Sequence, residues 1–282
     1  MRLRRLASRI CTVALGLVAA GALVPATAGV AHAQTGGTGP YTAEYTTEWD
    51  LRDHTIYRPQ TLPDDEQLPI VVWGNGACRA DGTWFENILT EFASHGFLVI
   101  ANGEPGGSGS TDADMLTEAI DWAVDENDQS WSEYSGHLDT DNIAVMGQSC
   151  GGIEAYEAAA DDRVTATALW NSGLLSPFDQ DLLDDLHTPI AYFTGGEGDI
   201  AHGNAEDDWD DIPQDLPAFF ASLDVGHYGT FEEPNGGEYG RVGSEWLKWQ
   251  LKGDDTARSE FVGSDCGLCN SEWEDVQQRN LG

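Results

Sequence analysis

The sequence predicts an α/β fold with a mostly parallel central sheet and helices on both faces. Short apolar runs alternate along the chain with longer segments whose apolar residues recur at helical spacing. This alternation is typical of parallel strands joined by crossover helices. With 10 Trp, 8 Tyr and 9 Phe among 282 residues, the chain also has enough large side chains to build a core.

These patterns place the elements in order along the chain. An aromatic-rich stretch at 42–58 predicts an edge hairpin. Residues 68–73 have the sequence LPIVVW, an apolar run that stops at Gly74 and therefore predicts a buried strand. Further strands are predicted at 97–101, 143–146, 164–170, 189–193 and 218–223, the last of them closing the sheet. Helices are predicted at 83–95, 111–127, 153–160 and 239–251.

Residues 1–33 have the features of a secretory signal peptide. Four Arg precede the apolar stretch 10–24, and Ala31-His32-Ala33 forms a small-x-small cleavage site. We therefore expect a secreted protein whose mature chain begins at Gln34 and carries no membrane anchor. An uncleaved anchor is the alternative, but the apolar run is short for a membrane span and Pro25 ends it. The mature residues 34–282 predict one domain, with a Gly/Thr-rich loose leader at 34–41.

The chain is strongly acidic. It carries 49 Asp and Glu against 13 Lys and Arg, a formal net charge of -36, and removal of the Arg-rich residues 1–33 would make it about -40. Such a surface repels nucleic acid and anionic lipid, which argues against either partner. The acids concentrate at 179–185 and 199–215. They indicate solvated surface or, as a sharper hypothesis, adaptation to high salt, where counterions screen the repulsion.

Two parts of the chain carry residue types that can bind a metal ion. Residues 206–211 offer carboxylate oxygens for calcium, but their spacing is not that of a known calcium loop. Four cysteines remain after signal removal, at positions 78, 150, 266 and 269, and a zinc site would need a second paired-Cys knuckle. We therefore predict no metal. In an oxidising compartment the even count predicts two disulfides, with three possible connectivities.

A candidate nucleophile lies between a predicted strand and a predicted helix. Gly147-Gln148-Ser149-Cys150-Gly151 matches the G-x-S-x-G pattern, which alone is weak evidence. In a strand–turn–helix context the pattern places the Ser hydroxyl on a strained turn at the carboxyl edge of the sheet. A plain Gly-rich turn is the alternative. A further and weaker alternative is that Cys150, and not Ser149, is the nucleophile.

A serine nucleophile needs a base and a carboxylate that orients it. His227 lies in Val225-Gly226-His227-Tyr228-Gly229, directly after the last predicted strand, and we prefer it to His202 as the base. Asp199 follows the strand 189–193 in a Gly-rich loop, and we prefer it to Glu197 and Asp207 as the acid. The resulting chain order is Ser149, Asp199, His227.

Acyl transfer also needs two N–H donors for the oxyanion. One is expected from the backbone of Cys150, the residue after the nucleophile. The other is expected from Asn75, in the loop after the strand 68–73. Cys78 and Cys150 then lie on the two segments that form the oxyanion hole, so a Cys78–Cys150 bridge would fix its geometry. A Cys266–Cys269 bridge would close a small loop near the C-terminus.

These residues resemble the α/β-hydrolase superfamily. Within it the chain is most similar to lidless dienelactone-hydrolase-like esterases, which include bacterial cutinases and polyester (PET) hydrolases. The resemblance covers roughly 68–261, and its marks are Trp73-Gly74-Asn75-Gly76-Ala77, His95-Gly96-Phe97-Leu98-Val99-Ile100, Asn142-Ile143-Ala144-Val145-Met146-Gly147, Gly198-Asp199, Gly226-His227-Tyr228 and Glu245-Trp246-Leu247-Lys248. It implies an α/β-hydrolase fold, a Ser149–His227–Asp199 triad, and Asn75 and Cys150 as oxyanion donors.

The chain departs from bacterial polyester hydrolases at three positions. Those enzymes usually have His before and Met after the nucleophile, where this chain has Gln148 and Cys150. Their oxyanion loop usually carries an aromatic residue, where this chain has Asn75. The missing aromatics form part of a polymer-binding cleft, while ester hydrolysis does not require them. Trp170 follows a strand where such enzymes carry a substrate-facing Trp, with a core Trp as the alternative, and Tyr228 is a second expected substrate contact.

The predicted function is a secreted serine esterase that needs no metal or organic cofactor. Only 18 residues separate Trp170 from Pro189, too few for the helical lid of many lipases, so we expect an open site. An open site suits small-molecule esters and polymeric esters, either cutin- or polyester-like chains or acylated polysaccharides. We expect a monomer. The alternatives are a peptidase or amidase with the same triad, and a non-catalytic binding protein of the same fold.

Overall fold

A computed structural model describes residues 36–176 and 179–282. The predicted signal peptide and cleavage site lie outside the described residues. The strands are β1 (Ala43–Glu48), β2 (Leu51–Pro59), β3 (Leu68–Gly74), β4 (Leu98–Asn102), β5 (Leu138–Gln148), β6 (Val164–Trp170), β7 (Ile190–Thr194), β8 (Ala218–Ser222) and β9 (Glu274–Arg279). The α-helices are α1 (Glu86–Ser94), α2 (Ala113–Asp128), α3 (Cys150–Ala158), α4 (Asp181–Asp184), α5 (His202–Asp211), α6 (Gly237–Lys252) and α7 (Asp255–Arg258).

The nine described strands form one mixed, mostly parallel sheet in the order β1-β2-β4-β3-β5-β6-β7-β8-β9. The six central strands, β4, β3, β5, β6, β7 and β8, are parallel to one another. The hairpin β1–β2 pairs antiparallel with β4 at one side, and β9 pairs antiparallel with β8 at the other. Because parallel strands all end at the same edge, the loops after β3, β5, β6, β7 and β8 meet there.

Two apolar layers cover the sheet, one on each face. Alternate residues of β3 point to opposite faces: Val71 and Trp73 join the layer beneath α1 and α6, while Ile70 and Val72 join the layer beneath α2, α3 and α5. Burial on both faces explains why the central strands are continuous apolar runs rather than alternating ones. The predicted arrangement of a parallel sheet between two helix layers is confirmed.

Four short or polar elements were not predicted from the sequence. α5 was predicted to be an acidic connection, but it is a helix whose apolar side consists mainly of Ala205 and Trp209, one turn apart. Two buried apolar residues in a ten-residue helix give a weak periodic signal. β9 follows the strand that we predicted to be the last, and its sequence EDVQQR shows no apolar alternation because it lies at the sheet edge. α4 and α7 each span one turn.

The predicted loose leader is wrong for residues 36–41, which are tied to the domain. The Thr38 amide donates to a carboxylate oxygen of Glu91 at 2.7 Å, and the Gly39 amide donates to the Ser94 hydroxyl at 3.0 Å. The Tyr41 amide donates to the Ser94 carbonyl at 3.0 Å. Glu91 and Ser94 belong to α1 and are buried, so the leader closes over the end of that helix.

Two disulfides join Cys78 to Cys150 and Cys266 to Cys269. The first connects segments 72 residues apart, and the second closes a tight turn near the C-terminus. Within the described ranges, no helix is both long and apolar enough to cross a membrane.

Candidate active site

Ser149 occupies a sharp turn between β5 and α3. Its backbone angles, φ 53° and ψ -121°, lie where a non-glycine residue is strained. The turn is tight because its glycines let backbones pass close together: a Cβ added at Gly147 would lie 2.1 Å from the Gly151 carbonyl oxygen. The Ser149 amide donates to the Trp170 carbonyl at 3.0 Å, which holds the turn against the end of β6.

The loops after β7 and β8 bring an acid and a base to the same place. Nε2 of His227 lies 3.0 Å from Oγ of Ser149, and Nδ1 of His227 lies 2.6 Å from Oδ1 of Asp199. The His227 side chain is 16% exposed and the Asp199 side chain is fully buried. The three residues predicted from the sequence therefore form one continuous chain of hydrogen-bond contacts. Such a chain can move a proton from a serine hydroxyl to an imidazole whose orientation is fixed.

Four donors keep the Asp199 carboxylate charged despite its burial. Burial alone would raise its pKa, but the amides of Ala201 and Gly195, the Asn171 side chain and His227 all donate to it. Their combined effect holds the pKa of Asp199 below its usual value. An ionised Asp199 can stabilise the imidazolium that forms when His227 takes a proton.

Asn171 is a residue of this site that the sequence analysis missed. It is fully buried, and Nδ2 lies 2.9 Å from Oδ2 of Asp199 and 3.2 Å from the Gly226 carbonyl oxygen. It therefore connects the acid loop to the loop that carries the base. Its backbone has a positive φ of 46°, which Asn tolerates better than most residues. A polar residue directly after the apolar strand β6 was the signal available in the sequence.

The residues that we considered as an alternative acid or base do not take part in this chain of contacts. Glu197 and Asp207 are exposed, and neither contacts His227. His202 is buried at the start of α5, where Nδ1 lies 2.9 Å from the Thr194 hydroxyl.

The loop after β3 lies against the first turn of α3. The Cys78–Cys150 disulfide joins the two segments, and a Cβ added at Gly151 would lie 2.6 Å from the Asn75 backbone nitrogen. The backbones of Asn75 and of the α3 N-terminus are therefore in close contact beside Ser149. The Asn75 side chain is fully buried and shapes its own loop: Nδ2 lies within hydrogen-bond distance of the carbonyls of Arg79, Asp81 and Asn102.

Two further side chains brace the turn. Gln148 donates from Nε2 to the His227 carbonyl at 3.0 Å, which connects the residue before the nucleophile to the base loop. The Ser172 hydroxyl donates to the Ser149 carbonyl at 2.7 Å. In the sequence Gln148 is visible as a departure from the polyester hydrolases, but its contact depends on the fold of a loop 79 residues away.

A cleft of about 110 Å³ opens beside Ser149 and His227. Its wall includes Leu175 and Ile200, which are 74% and 80% exposed. A smaller cavity of about 30 Å³ is lined by Gln148, Trp84 and Tyr228 among others. Leu175, Ile200 and Tyr228 are therefore three strongly exposed apolar side chains close to the Ser149–His227 pair, and Trp84 is 39% exposed in the smaller cavity.

Trp170 does not belong to this exposed surface. Its indole is fully buried and stacks on Phe193 with ring centroids 4.4 Å apart, next to Tyr239. Trp170 is a core residue, because β6 directs its side chain into the layer beneath α6. The substrate contact that the resemblance implied for Trp170 is therefore wrong. Tyr228, the other expected contact, is 76% exposed beside His227.

A larger cavity, about 500 Å³, lies next to α5 and includes neither Ser149 nor His227. Its walls carry Asp207, Asp208, Asp210 and Asp211, the segment weighed as a calcium loop. That segment is helical, so successive carboxylates point in different directions. Among the described residues, no group of three or more His, Cys, Asp or Glu side chains is placed to hold a metal ion.

The parallel sheet and its sharp turn after β5 define a protein of the α/β-hydrolase class. Residues 27–279 match a family model described as PETase, PET hydrolase-like. The chain therefore belongs to the PET hydrolase-like family, and it is a carboxylic ester hydrolase. No curated protein matches its sequence.

Proposed function

We propose that the chain hydrolyses carboxylic esters through an acyl-enzyme on Ser149, with His227 as general base and acid and Asp199 as the residue that orients the imidazole. The observation that carries this proposal is the unbroken path from Oγ of Ser149 to Nε2 of His227 at 3.0 Å and from Nδ1 to Asp199 at 2.6 Å. The strained backbone of Ser149 supports it, since strain of this kind presents a nucleophile at a sheet edge.

The reaction follows from these positions. Ser149 Oγ attacks the ester carbonyl carbon while its proton passes to Nε2 of His227. The tetrahedral intermediate collapses, the bond to the alcohol oxygen breaks, and His227 returns the proton to the leaving alcohol. Water then gives a proton to His227 and attacks the carbonyl carbon of the acyl-enzyme. His227 returns that proton to Oγ of Ser149 as the acyl–serine bond breaks, which releases the carboxylic acid and restores the serine hydroxyl.

The oxyanion is stabilised by two backbone N–H groups, those of Cys150 and Asn75. Cys150 is the first residue of α3, so its amide has no partner within the helix. The Cys78–Cys150 disulfide supports the assignment of Asn75, because it fixes the distance between the two segments. Fixed donors stabilise developing charge without reorganising during the reaction.

The substrate is an apolar ester, and the family points to polymeric esters of the polyester or cutin type. Exposed Leu175 and Ile200 in the cleft at Ser149 and exposed Tyr228 beside His227 support an extended apolar chain lying across the site. Acylated polysaccharide is the second candidate, because the open cleft also admits a polar chain that carries an acyl group.

Export accounts for the two disulfides, since such bonds persist in oxidising compartments. We infer that cleavage after Ala33 leaves a single domain, residues 34–282, which acts as a monomer. N-terminal sequencing of the secreted protein should begin at Gln34, and light scattering should give the mass of one chain.

Hydrolysis of p-nitrophenyl acetate and butyrate tests the proposed function. Ser149→Ala should lower kcat by about 10⁴- to 10⁶-fold, while Ser108→Ala, at an exposed serine, should not change it. A p-nitroanilide measured in parallel tests the amidase alternative, and esterified polymer film and acetylated xylan separate the two substrate classes. Equal rates for wild type and Ser149→Ala would contradict the proposal.

A further inference from the structure

A buried polar cluster lies beneath the oxyanion loop, and its centre is Glu154. Glu154 is on α3, four residues after Cys150, and only 4% of it is exposed. Its Oε1 accepts from the Thr111 hydroxyl at 2.6 Å, and its Oε2 accepts from Nδ2 of Asn102 at 3.2 Å. No step of the proposed reaction uses this carboxyl group, although burying one is costly unless it is well paired.

Both partners of Glu154 continue directly to the oxyanion loop. The Asn102 carbonyl accepts from Nδ2 of Asn75 at 2.5 Å. The Thr111 amide donates to the Cys78 carbonyl at 2.8 Å. Glu154 therefore reaches the first residue of the loop 75–78 through Asn102 and the last residue through Thr111.

The same face of α3 is also attached to the loop 75–78 by the Cys78–Cys150 disulfide. Cys150 and Glu154 are one turn apart on α3, so their side chains lie on the same side of the helix. Cys150 is bonded to Cys78, and Glu154 reaches the Cys78 carbonyl through Thr111. One face of α3 thus fixes Cys78 by a covalent bond and by a hydrogen-bonded path.

We infer that Glu154 is a positioning residue for ester hydrolysis, which holds the Asn75–Cys78 loop in the geometry needed to stabilise the oxyanion. This inference rests on the proposed function of Ser149 and Asn75. Because the bound ester carries no oxyanion and the charge develops only as the tetrahedral intermediate forms, loosening the loop should lower kcat much more than it changes KM. If Glu154 had a merely structural role, its replacement would change stability without lowering kcat more than it changes KM.

The test compares Glu154→Ala with Glu154→Gln in the disulfide-bonded mature protein. Removing one oxyanion donor typically costs 10²- to 10³-fold in kcat, so a displaced donor should cost about 10- to 100-fold in Glu154→Ala with KM nearly unchanged. Glu154→Gln keeps an oxygen for the Thr111 hydroxyl, and Asn102 can turn its amide to face the new one, so it should recover most of kcat. Asp162→Ala, at an exposed position four residues beyond the end of the same helix, is the control and should behave as wild type.

A second pair of variants decides the question if Glu154→Ala does not fold. Thr111→Val removes the hydroxyl that Glu154 accepts from, while Thr111→Ser keeps it. We expect a loss of kcat in the first and not in the second. Folded Glu154→Ala or Thr111→Val with wild-type kcat would overturn the inference, as would equal losses in Thr111→Val and Thr111→Ser. Ser149→Ala measured alongside keeps the two proposals separate, since its inactivity supports the triad whatever the Glu154 variants do.

Discussion

Asp199 and His227 are joined by a hydrogen bond of 2.6 Å that is shielded from water on the acid side, because the Asp199 side chain has no exposed surface. The imidazole can therefore present Nε2 to Ser149 in only one orientation. This contact connects the loops after β7 and β8, which are 28 residues apart in sequence.

Replacing the acid by its neutral isostere tests this contact. Asp199→Asn should lower kcat by about 10³- to 10⁴-fold with little change in KM, because the amide favours the wrong imidazole tautomer and cannot stabilise an imidazolium. Steady-state kinetics on p-nitrophenyl butyrate measures the effect. Glu197→Gln, at the exposed runner-up, is the control and should be silent. A comparable loss in the control would move the acid role away from Asp199.

Asn171 should contribute to activity because its side-chain amide donates a hydrogen bond to the Asp199 carboxylate. Asn171→Ala removes one donor and should lower kcat about tenfold, since a hydrogen bond to a charged group is worth roughly 1.5–3 kcal/mol. Asn171→Asp should lower kcat further, because a second buried carboxyl beside Asp199 raises the pKa of the pair. Asn87→Ala, whose side chain donates to the exposed Glu232 carbonyl, is the control. Full activity of Asn171→Asp would show that Asp199 does not depend on this partner.

Much of this arrangement is predictable from the sequence. Ser149, Asp199 and His227 each follow an apolar strand in a Gly-rich segment, so their shared edge follows from the parallel sheet. Asn171 and Glu154 were missed because their roles depend on which loop packs over them. The polar residue after β6 marks Asn171 as a candidate, but its partners follow only from the packing of the loops.

Glu154 should give the folded protein a distinctive pH dependence. Burial, with the nearby charges of Asp112 and Glu157, raises its pKa from 4.5 to about 7, although hydrogen bonds from Thr111 and Asn102 lower it. Between those two values the folded chain binds more protons than the unfolded chain, so this group makes stability fall as pH rises. The expected contribution is on the order of 3 kcal/mol across that window.

Glu154→Gln cannot titrate, so its free energy of unfolding relative to wild type should improve by about that amount between pH 4.5 and pH 8. Urea unfolding of both proteins at the two pH values measures the difference. A relative stability that is the same at both would contradict a raised pKa at Glu154.

Ile200 should set the preference for acyl chain length. It is 80% exposed at the cleft beside Ser149, so Ile200→Ser should leave the fold intact. Losing apolar contact worth about 1 kcal/mol should reduce kcat/KM for hexanoate relative to acetate about fivefold. Trp131→Ser, at an exposed apolar position outside the cleft, is the control. An unchanged ratio would place the acyl chain away from Ile200.

The acidic surface predicts stabilisation by salt. With a formal net charge of -36, mutual repulsion opposes the compact state at low ionic strength. Because the screening length falls from ~30 Å at 0.01 M to ~3 Å at 1 M, the melting temperature should rise between low and molar NaCl. A flat or falling melting temperature would end the hypothesis of salt adaptation.

The most direct test of the account is to label the mature protein with a fluorophosphonate ester and locate the adduct by peptide mass spectrometry. Attack by an activated serine should place one phosphonyl group on Ser149, abolish hydrolysis of p-nitrophenyl butyrate in proportion to labelling, and fail in His227→Ala. Modification of another residue, or full activity in the labelled protein, would contradict the assignment of Ser149 as the nucleophile.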